Sequence, residues 1–242
     1  MNLYRLKRTV LAPYIWHMRH KERHQTGFIK GALELQYYRP LYYRFIGANM
    51  IDPEMLYTAP LGPDSVVIDV GAHVGDWAAH MFEKYRSRIV AFEPDPESFP
   101  ALAERFRGND KVSVFDYGLH DRDAVLDMAQ MGMGSTMFDE PMPSETPANH
   151  VSVRVRDVAT VLDELRVGWI DLLKVNIEGG EFELLDRLID SAWMSRVRCL
   201  MVQFHEWRSG AHLWRLKIRH ALRRTHTEDW NYAFVWEKWN LK

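Results

Sequence analysis

From residue 66 to the end of the chain, short apolar runs alternate with segments of helical periodicity. The runs have the length of buried strands and lie at 65–70, 88–92, 112–116, 170–176 and 197–204. The periodic segments lie at about 76–86, 97–107, 157–166, 180–190 and 209–224. Because strands and helices alternate, the pattern predicts an α/β fold with a mainly parallel twisted sheet and helices on both faces.

Three stretches depart from this alternation. Residues 1–60 are divided by prolines and predict an N-terminal helical extension, so that the main domain covers 61–242. Within 124–156, two runs alternate like an antiparallel pair around a loop rich in Met, Gly and Pro. Loops of this length are usually functional or disordered, which favours a lid or an acceptor-binding loop. The last residues, "YAFVWEKWNLK", predict a final antiparallel strand.

Charge is unevenly distributed along the chain. Residues 1–30 carry a net charge of +6 and the remainder −8. The basic, aromatic segment predicts an amphipathic helix that packs on its own domain or contacts a membrane or an acidic partner. The acidic main domain argues against a nucleic acid partner. Without a spanning run or a signal peptide, we expect a cytoplasmic protein, with peripheral membrane contact left open. The single cysteine, Cys199, lies in an apolar run and predicts a buried thiol.

Candidate chemistry begins at "VVIDVGAHVGDW", residues 66–77. A strand that runs through a glycine turn into a helix directs backbone N–H groups at a bound anion or nucleotide. Gly71 and Gly75 are spaced G-x-x-x-G with His73 between them, so the middle glycine of a dinucleotide-binding turn is missing. Glu93, at the end of the second strand, is placed to accept hydrogen bonds from ribose hydroxyls.

A ribose-binding acid without a pyrophosphate cradle fits S-adenosylmethionine (SAM), which contains adenine and ribose but no phosphate. Asp69 is a candidate to bond the amino group of this cofactor, directly or through water. Gly71, His73 and Gly75 would pass close to its amino acid tail. Asp116 and Tyr117 end the third predicted strand, where an adenine would lie. The sequence therefore predicts SAM as cofactor, with S-adenosylhomocysteine (SAH) as the product.

Five segments resemble, in order, the motifs of the FkbM family of SAM-dependent methyltransferases. They are "VVIDVGAHVGDW", "IVAFEPDP", "VFDYGLHD", "LLKVNIEGGEFELL" and "MVQFHEW". The resemblance covers about 60–242 and implies a Rossmann-like class I methyltransferase fold, SAM as donor, and usually O-methylation of sugars, glycans or natural products. The family commonly has Asp and Glu where this chain has Asn176 and Gln203. Two fewer carboxylates count against a divalent metal, and no metal is predicted.

Residues for the acceptor should lie at the carboxyl ends of the central strands. Strand alternation puts Lys174, Asn176 and Glu178 on one side. Glu178 is the first candidate for acceptor binding or general base, with capping of the following helix as the alternative. Asn176 would hold the cofactor tail or an acceptor hydroxyl. Lys174 is either catalytic or paired with a nearby acid.

His205 follows the fifth predicted strand and is a second candidate for general base or acceptor ligand, because histidine titrates near neutral pH. A structural role is the alternative for His205, and His73 is the rival base. The leading hypothesis is O-methylation of a small-molecule or glycan hydroxyl. A non-catalytic module that docks to a membrane or an assembly, and a nicotinamide-dependent oxidoreductase, are the alternatives. The sequence does not predict an oligomeric state.

Overall fold

A computed structural model describes residues 39–130, 149–206 and 208–242. Its helices are α1 (Arg39–Ile51), α2 (Asp76–Tyr85), α3 (Phe99–Arg105), α4 (Val158–Glu164), α5 (Glu181–Asp190) and α6 (Ala211–Leu222). Its strands are β1 (Val66–Val70), β2 (Arg88–Phe92), β3 (Val112–Phe115), β4 (Gly118–His120), β5 (Ala124–Gln130), β6 (Asn149–Asp157), β7 (Leu172–Val175), β8 (Cys199–Val202), β9 (His226–Tyr232) and β10 (Trp236–Leu241). The basic segment 1–30 and most of the predicted lid lie outside the described residues.

The central sheet has the strand order β3-β2-β1-β7-β8-β10-β9. Neighbours from β3 to β8 are parallel, whereas β10 is antiparallel to both β8 and β9. Four of the parallel strands, β1, β2, β7 and β8, are almost entirely buried, as expected for a sheet with helices on both faces. This arrangement confirms the predicted Rossmann-like α/β fold with an antiparallel last strand.

A small second sheet, β4-β6-β5, lies beside the central one. Its β5 and β6 are antiparallel, as the alternation in 124–156 predicts. Two strands were not predicted. The short β4 pairs with β6, and β9 follows α6 where the sequence pattern gave no strand. Because β9 is an edge strand with mostly polar, exposed residues near its start, it shows no clear apolar alternation.

The sheet separates two large apolar clusters, one on each face. Cys199 lies in one of them, and burial raises the pKa of its thiol to about 11, which confirms the predicted buried thiol. On the basic helix α6, Arg215 and Arg219 point inward and pair with the buried carboxylate of Glu237. None of the helices in the described ranges combines the length and apolar character needed to cross a bilayer.

Candidate functional site

A cleft opens at the carboxyl ends of β1, β2 and β7, which lie side by side in the sheet. It encloses about 680 Å³ of space, part of which is open to solvent. Open α/β sheets use this edge to bind ligands. The lining residues are Val70, Gly71, His73, Glu93, Pro94, Asp95, Ser98, Gly118, Leu119, Met128, Asn176, Ile177 and Glu178. The structure therefore brings five predicted residues together on this wall: Gly71, His73, Glu93, Asn176 and Glu178.

The glycine turn requires a residue without a side chain at position 71. Gly71 has φ +81°, and a Cβ there would lie 2.0 Å from the carbonyl oxygen of Asn176. The N–H groups of Gly71 and Ala72 both donate to the carbonyl oxygen of Phe92, at 3.0 Å. The end of β1 is thus held close to β2 and β7. Gly75 also has a positive φ, but it is the N-cap residue of α2 and does not line the cleft.

Asp69 and Lys174 form a buried ion pair beneath this turn. The Lys174 ammonium donates to Asp69 Oδ1 at 2.8 Å and to the carbonyl oxygen of Gly71 at 2.6 Å. Asp69 is 0% exposed, and burial raises its pKa while the lysine charge opposes that shift. Neither side chain lines the cleft, so the alternative of a strand lysine paired with an acid describes Lys174. The pair holds the glycine turn from below.

Glu93 lies at the centre of the cleft wall and is nearly buried. Its carboxylate accepts the backbone N–H of His73 at 2.6 Å and that of Asp95 at 2.9 Å. Burial raises the pKa of Glu93, and these hydrogen bonds oppose the shift. Each carboxylate oxygen can accept more than one hydrogen bond. Glu93 therefore retains the capacity to accept from two adjacent hydroxyl groups.

The side chain of Asn176 supplies a hydrogen-bond acceptor that has no partner among the described residues. This acceptor is the Oδ1 atom, which is buried. Since buried polar atoms are normally hydrogen-bonded, an acceptor of this kind on a cleft wall is suited to a donor group of a ligand. A positively charged amino group would meet that requirement.

Glu178 faces the cleft from the turn after β7, where its backbone has φ +53°. The strand ends at Val175, so strand alternation does not extend to this residue. The predicted alternative was that Glu178 caps the next helix, but Gly180 occupies the N-cap position of α5. Glu178 Oε2 instead lies 3.2 Å from His205 Nε2.

Glu181 is a site residue that sequence reasoning missed. Its carboxylate is completely buried and accepts the backbone N–H groups of Ile177 and Gly179. It also lies 2.8 Å from His205 Nδ1. Burial lowers the pKa of His205, but Glu181 and Glu178 outweigh this effect and raise it to about 10. The sequence signal was only an acid that directly follows two glycines at a helix start.

Asp116 and Tyr117 lie outside the cleft lining. β3 ends at Phe115, and the exposed carboxylate of Asp116 pairs with Arg154 at 2.9 Å. The Tyr117 ring packs against Phe92 and Phe115 in the apolar core. The next residues, Gly118 and Leu119, line the cleft in their place. Together with Pro94 and Met128 they form an apolar wall beside Glu93, which suits a flat base.

The fold is that of the class I methyltransferases, with a cleft at the carboxyl ends of the central strands. Residues 69–225 match the family model described as the methyltransferase FkbM domain. The match covers more than half of the chain, and the protein belongs to the FkbM methyltransferase family. This family membership implies SAM as the methyl donor. The match confirms the resemblance to the FkbM family that the five sequence motifs indicate.

Two individual relatives and one solved structure illustrate what the chain is similar to. Methyltransferase 1 of Beauveria bassiana is 29% identical, and the match covers 62% of this chain and 68% of that protein. The 2-O-methyltransferase NoeI of Sinorhizobium fredii is 24% identical, with 51% of this chain and 57% of that protein covered. An rRNA methylase structure from Streptococcus thermophilus matches 75% of this chain and 89% of that chain, with a TM-score of 0.44 and 13% identity.

Proposed function

We propose that this protein is a SAM-dependent O-methyltransferase whose acceptor is a hydroxyl group of a sugar, a glycan or another natural product. The observation that carries the proposal is the convergence of Glu93, Asn176 and Glu178 on one cleft wall. These residues offer an acceptor for ribose hydroxyls, an acceptor for an amino group and a carboxylate for a hydroxyl proton. The relative NoeI, which is named as a 2-O-methyltransferase, supports oxygen as the methylated atom.

The cleft offers partners for three parts of the cofactor, namely the ribose, the amino group and the adenine base. Glu93 would accept hydrogen bonds from the ribose hydroxyls while it keeps the N–H groups of His73 and Asp95. Asn176 Oδ1, which has no hydrogen-bond partner among the described residues, would accept from the amino group of the methionine tail. The apolar wall of Pro94, Leu119 and Met128 would pack against adenine. When bound, SAM supplies a methyl group on a positively charged sulfur, which departs as the neutral thioether of SAH.

The residues of this chain then have two tasks. They must hold the acceptor oxygen in line with the methyl group, because methyl transfer from an activated donor depends mainly on positioning. They must also take the hydroxyl proton as the new C–O bond forms. In our proposal Glu178, whose carboxylate lies on the cleft wall, takes this proton. His205 is not available as the base, because both of its ring nitrogens contact carboxylates.

Replacement of Glu178 by glutamine is expected to lower the rate of methyl transfer by about 100-fold or more, as is typical for the loss of a general base. The affinity for SAH should change by less than about threefold, because other residues hold the cofactor. Isotope-labelled SAM measures the rate, and titration calorimetry measures the affinity. The matched control is Glu83→Gln, an exposed position on α2 that should leave both quantities unchanged.

The acceptor class is tested with a panel of sugars, glycan fragments and hydroxylated natural products incubated with methyl-labelled SAM. The proposal predicts a labelled methyl ether on at least one hydroxyl compound, identified by mass spectrometry. Transfer that occurs only to nitrogen or carbon atoms of control compounds would contradict O-methylation. Such a result would leave the methyltransferase family assignment intact.

A further inference from the structure

The position of Glu178 depends on a second carboxylate that does not face the cleft. Glu181 is fully buried in the first turn of α5, 0% exposed. Its Oε1 accepts the N–H of Ile177 at 3.0 Å, and its Oε2 accepts the N–H of Gly179 at 3.0 Å. These two N–H groups flank Glu178 in the chain. Glu181 therefore fixes the backbone turn that carries Glu178.

The Glu181 carboxylate also contacts Glu178 indirectly, through the side chain of His205. Glu181 Oε1 lies 2.8 Å from Nδ1 of His205, and Nε2 of that ring lies 3.2 Å from Glu178 Oε2. His205 is 5% exposed, so solvent has little access to either ring nitrogen. Glu181, His205 and Glu178 thus form a continuous row from the helix to the cleft wall.

The protonation state of His205 follows from its neighbours. Two carboxylates face the ring, Glu178 from the turn after β7 and Glu181 from α5. An ionised carboxylate only accepts hydrogen bonds, so both ring nitrogens must donate, and the ring that satisfies both is the imidazolium. The raised pKa of His205, about 10, agrees with this geometry. An imidazolium has no free lone pair and cannot take a proton from an acceptor.

We propose that Glu181 is a positioning residue that acts through His205, which serves as a fixed cationic donor rather than a base, to hold the Glu178 carboxylate toward the methyl acceptor. This inference rests on the proposed O-methyltransferase function. The row of one imidazolium and two carboxylates carries a net charge of −1, which a hydroxyl proton on Glu178 would neutralise. The proton is thus accepted at the end of the row that faces the cleft.

The test begins with the ring nitrogens of His205, observed by ¹⁵N NMR as a function of pH. In the wild-type protein both nitrogens should stay protonated through neutral pH and titrate near pH 10. In Glu181→Gln the midpoint should fall by about 1–3 pH units, because one of the two carboxylate charges that face the ring is lost. Glu83→Gln is the control and should titrate like the wild type. A neutral wild-type ring at pH 7 would overturn the inference.

A second readout separates positioning from general damage to the cleft. In Glu181→Gln the rate of labelled methyl transfer should fall by about tenfold or more, while the Kd for SAH stays within about threefold. A comparable loss of the methyl transfer rate and of the SAH affinity would show that Glu181 only maintains the cleft. That result would overturn the positioning role. If this variant does not fold, Glu178→Gln takes its place in the NMR experiment, where the same fall in the midpoint is expected.

The two readouts distinguish the inference from the function on which it rests. The NMR titration needs no methyl acceptor, so it reports the state of His205 even if no hydroxyl compound is methylated. A cationic His205 without any O-methylation would count against the proposed function alone. O-methylation with a neutral His205 would count against the inference alone.

Discussion

Glu93→Ala is expected to weaken SAH binding by about 100-fold or more. The carboxylate would make two charge-assisted hydrogen bonds to the ribose, each worth about 1.5–3 kcal/mol, and every 1.4 kcal/mol is about tenfold in affinity. Glu93 is also the acceptor for the N–H groups of His73 and Asp95, so its loss would loosen the cleft wall as well. Titration calorimetry with SAH measures the effect.

The matched control for this change is Glu97→Ala, because Glu97 is exposed on the same loop. We expect its SAH affinity to remain within about twofold of the wild type. Circular dichroism should show that Glu93→Ala is still folded at the temperature of the titration. A folded Glu93→Ala protein that binds SAH as tightly as the wild type would refute the role of Glu93 in holding the ribose.

Gly71→Ala is expected to lower the free energy of unfolding by about 3 kcal/mol or more, or to prevent folding. A non-glycine residue in the left-handed region costs about 1–2 kcal/mol in itself. The larger cost is steric, since the new Cβ would lie 2.0 Å from the carbonyl oxygen of Asn176. Relief of this clash would require the ends of β1 and β7 to separate. The cleft lies between those ends, so SAH binding should be lost together with stability.

Urea denaturation followed by tryptophan fluorescence measures the stability effect. Gly168→Ala is the matched control, because its Cβ would meet nothing within 4 Å and its φ lies outside the left-handed region. That variant should unfold within about 0.5 kcal/mol of the wild type. Equal stabilities of the Gly71→Ala and Gly168→Ala proteins would mean that the turn is not as tightly packed as described.

The sequence predicts the frame of the fold because buried parallel strands are short, continuous apolar runs. The strands β1, β2, β3, β7 and β8 were found in this way. β9 was missed because an edge strand buries little and needs no apolar alternation. Its place next to β10 depends on tertiary pairing, which local sequence pattern does not encode.

The candidate site, like the fold, was predicted where local sequence pattern decides the structure and missed where tertiary packing decides it. Gly71, Glu93, Asn176 and Glu178 were predicted because they follow the ends of adjacent parallel strands, which meet at one edge of a sheet. Asp116 follows a strand too, but its side chain turns outward to Arg154. The contact between Glu181 and His205 joins residues 24 positions apart and depends on how α5 packs beside β8. No short motif in the sequence carries that information.

The most direct test of the central claim is titration calorimetry of the wild-type protein with SAH, with NADH as the control. The claim is that the cleft is a SAM site built around Glu93, and it predicts saturable SAH binding with a micromolar Kd and no heat from NADH. Binding of NADH without SAH would contradict the claim and would favour a nicotinamide-dependent oxidoreductase. Absence of binding by either compound would contradict it as well and would favour a non-catalytic module with this fold.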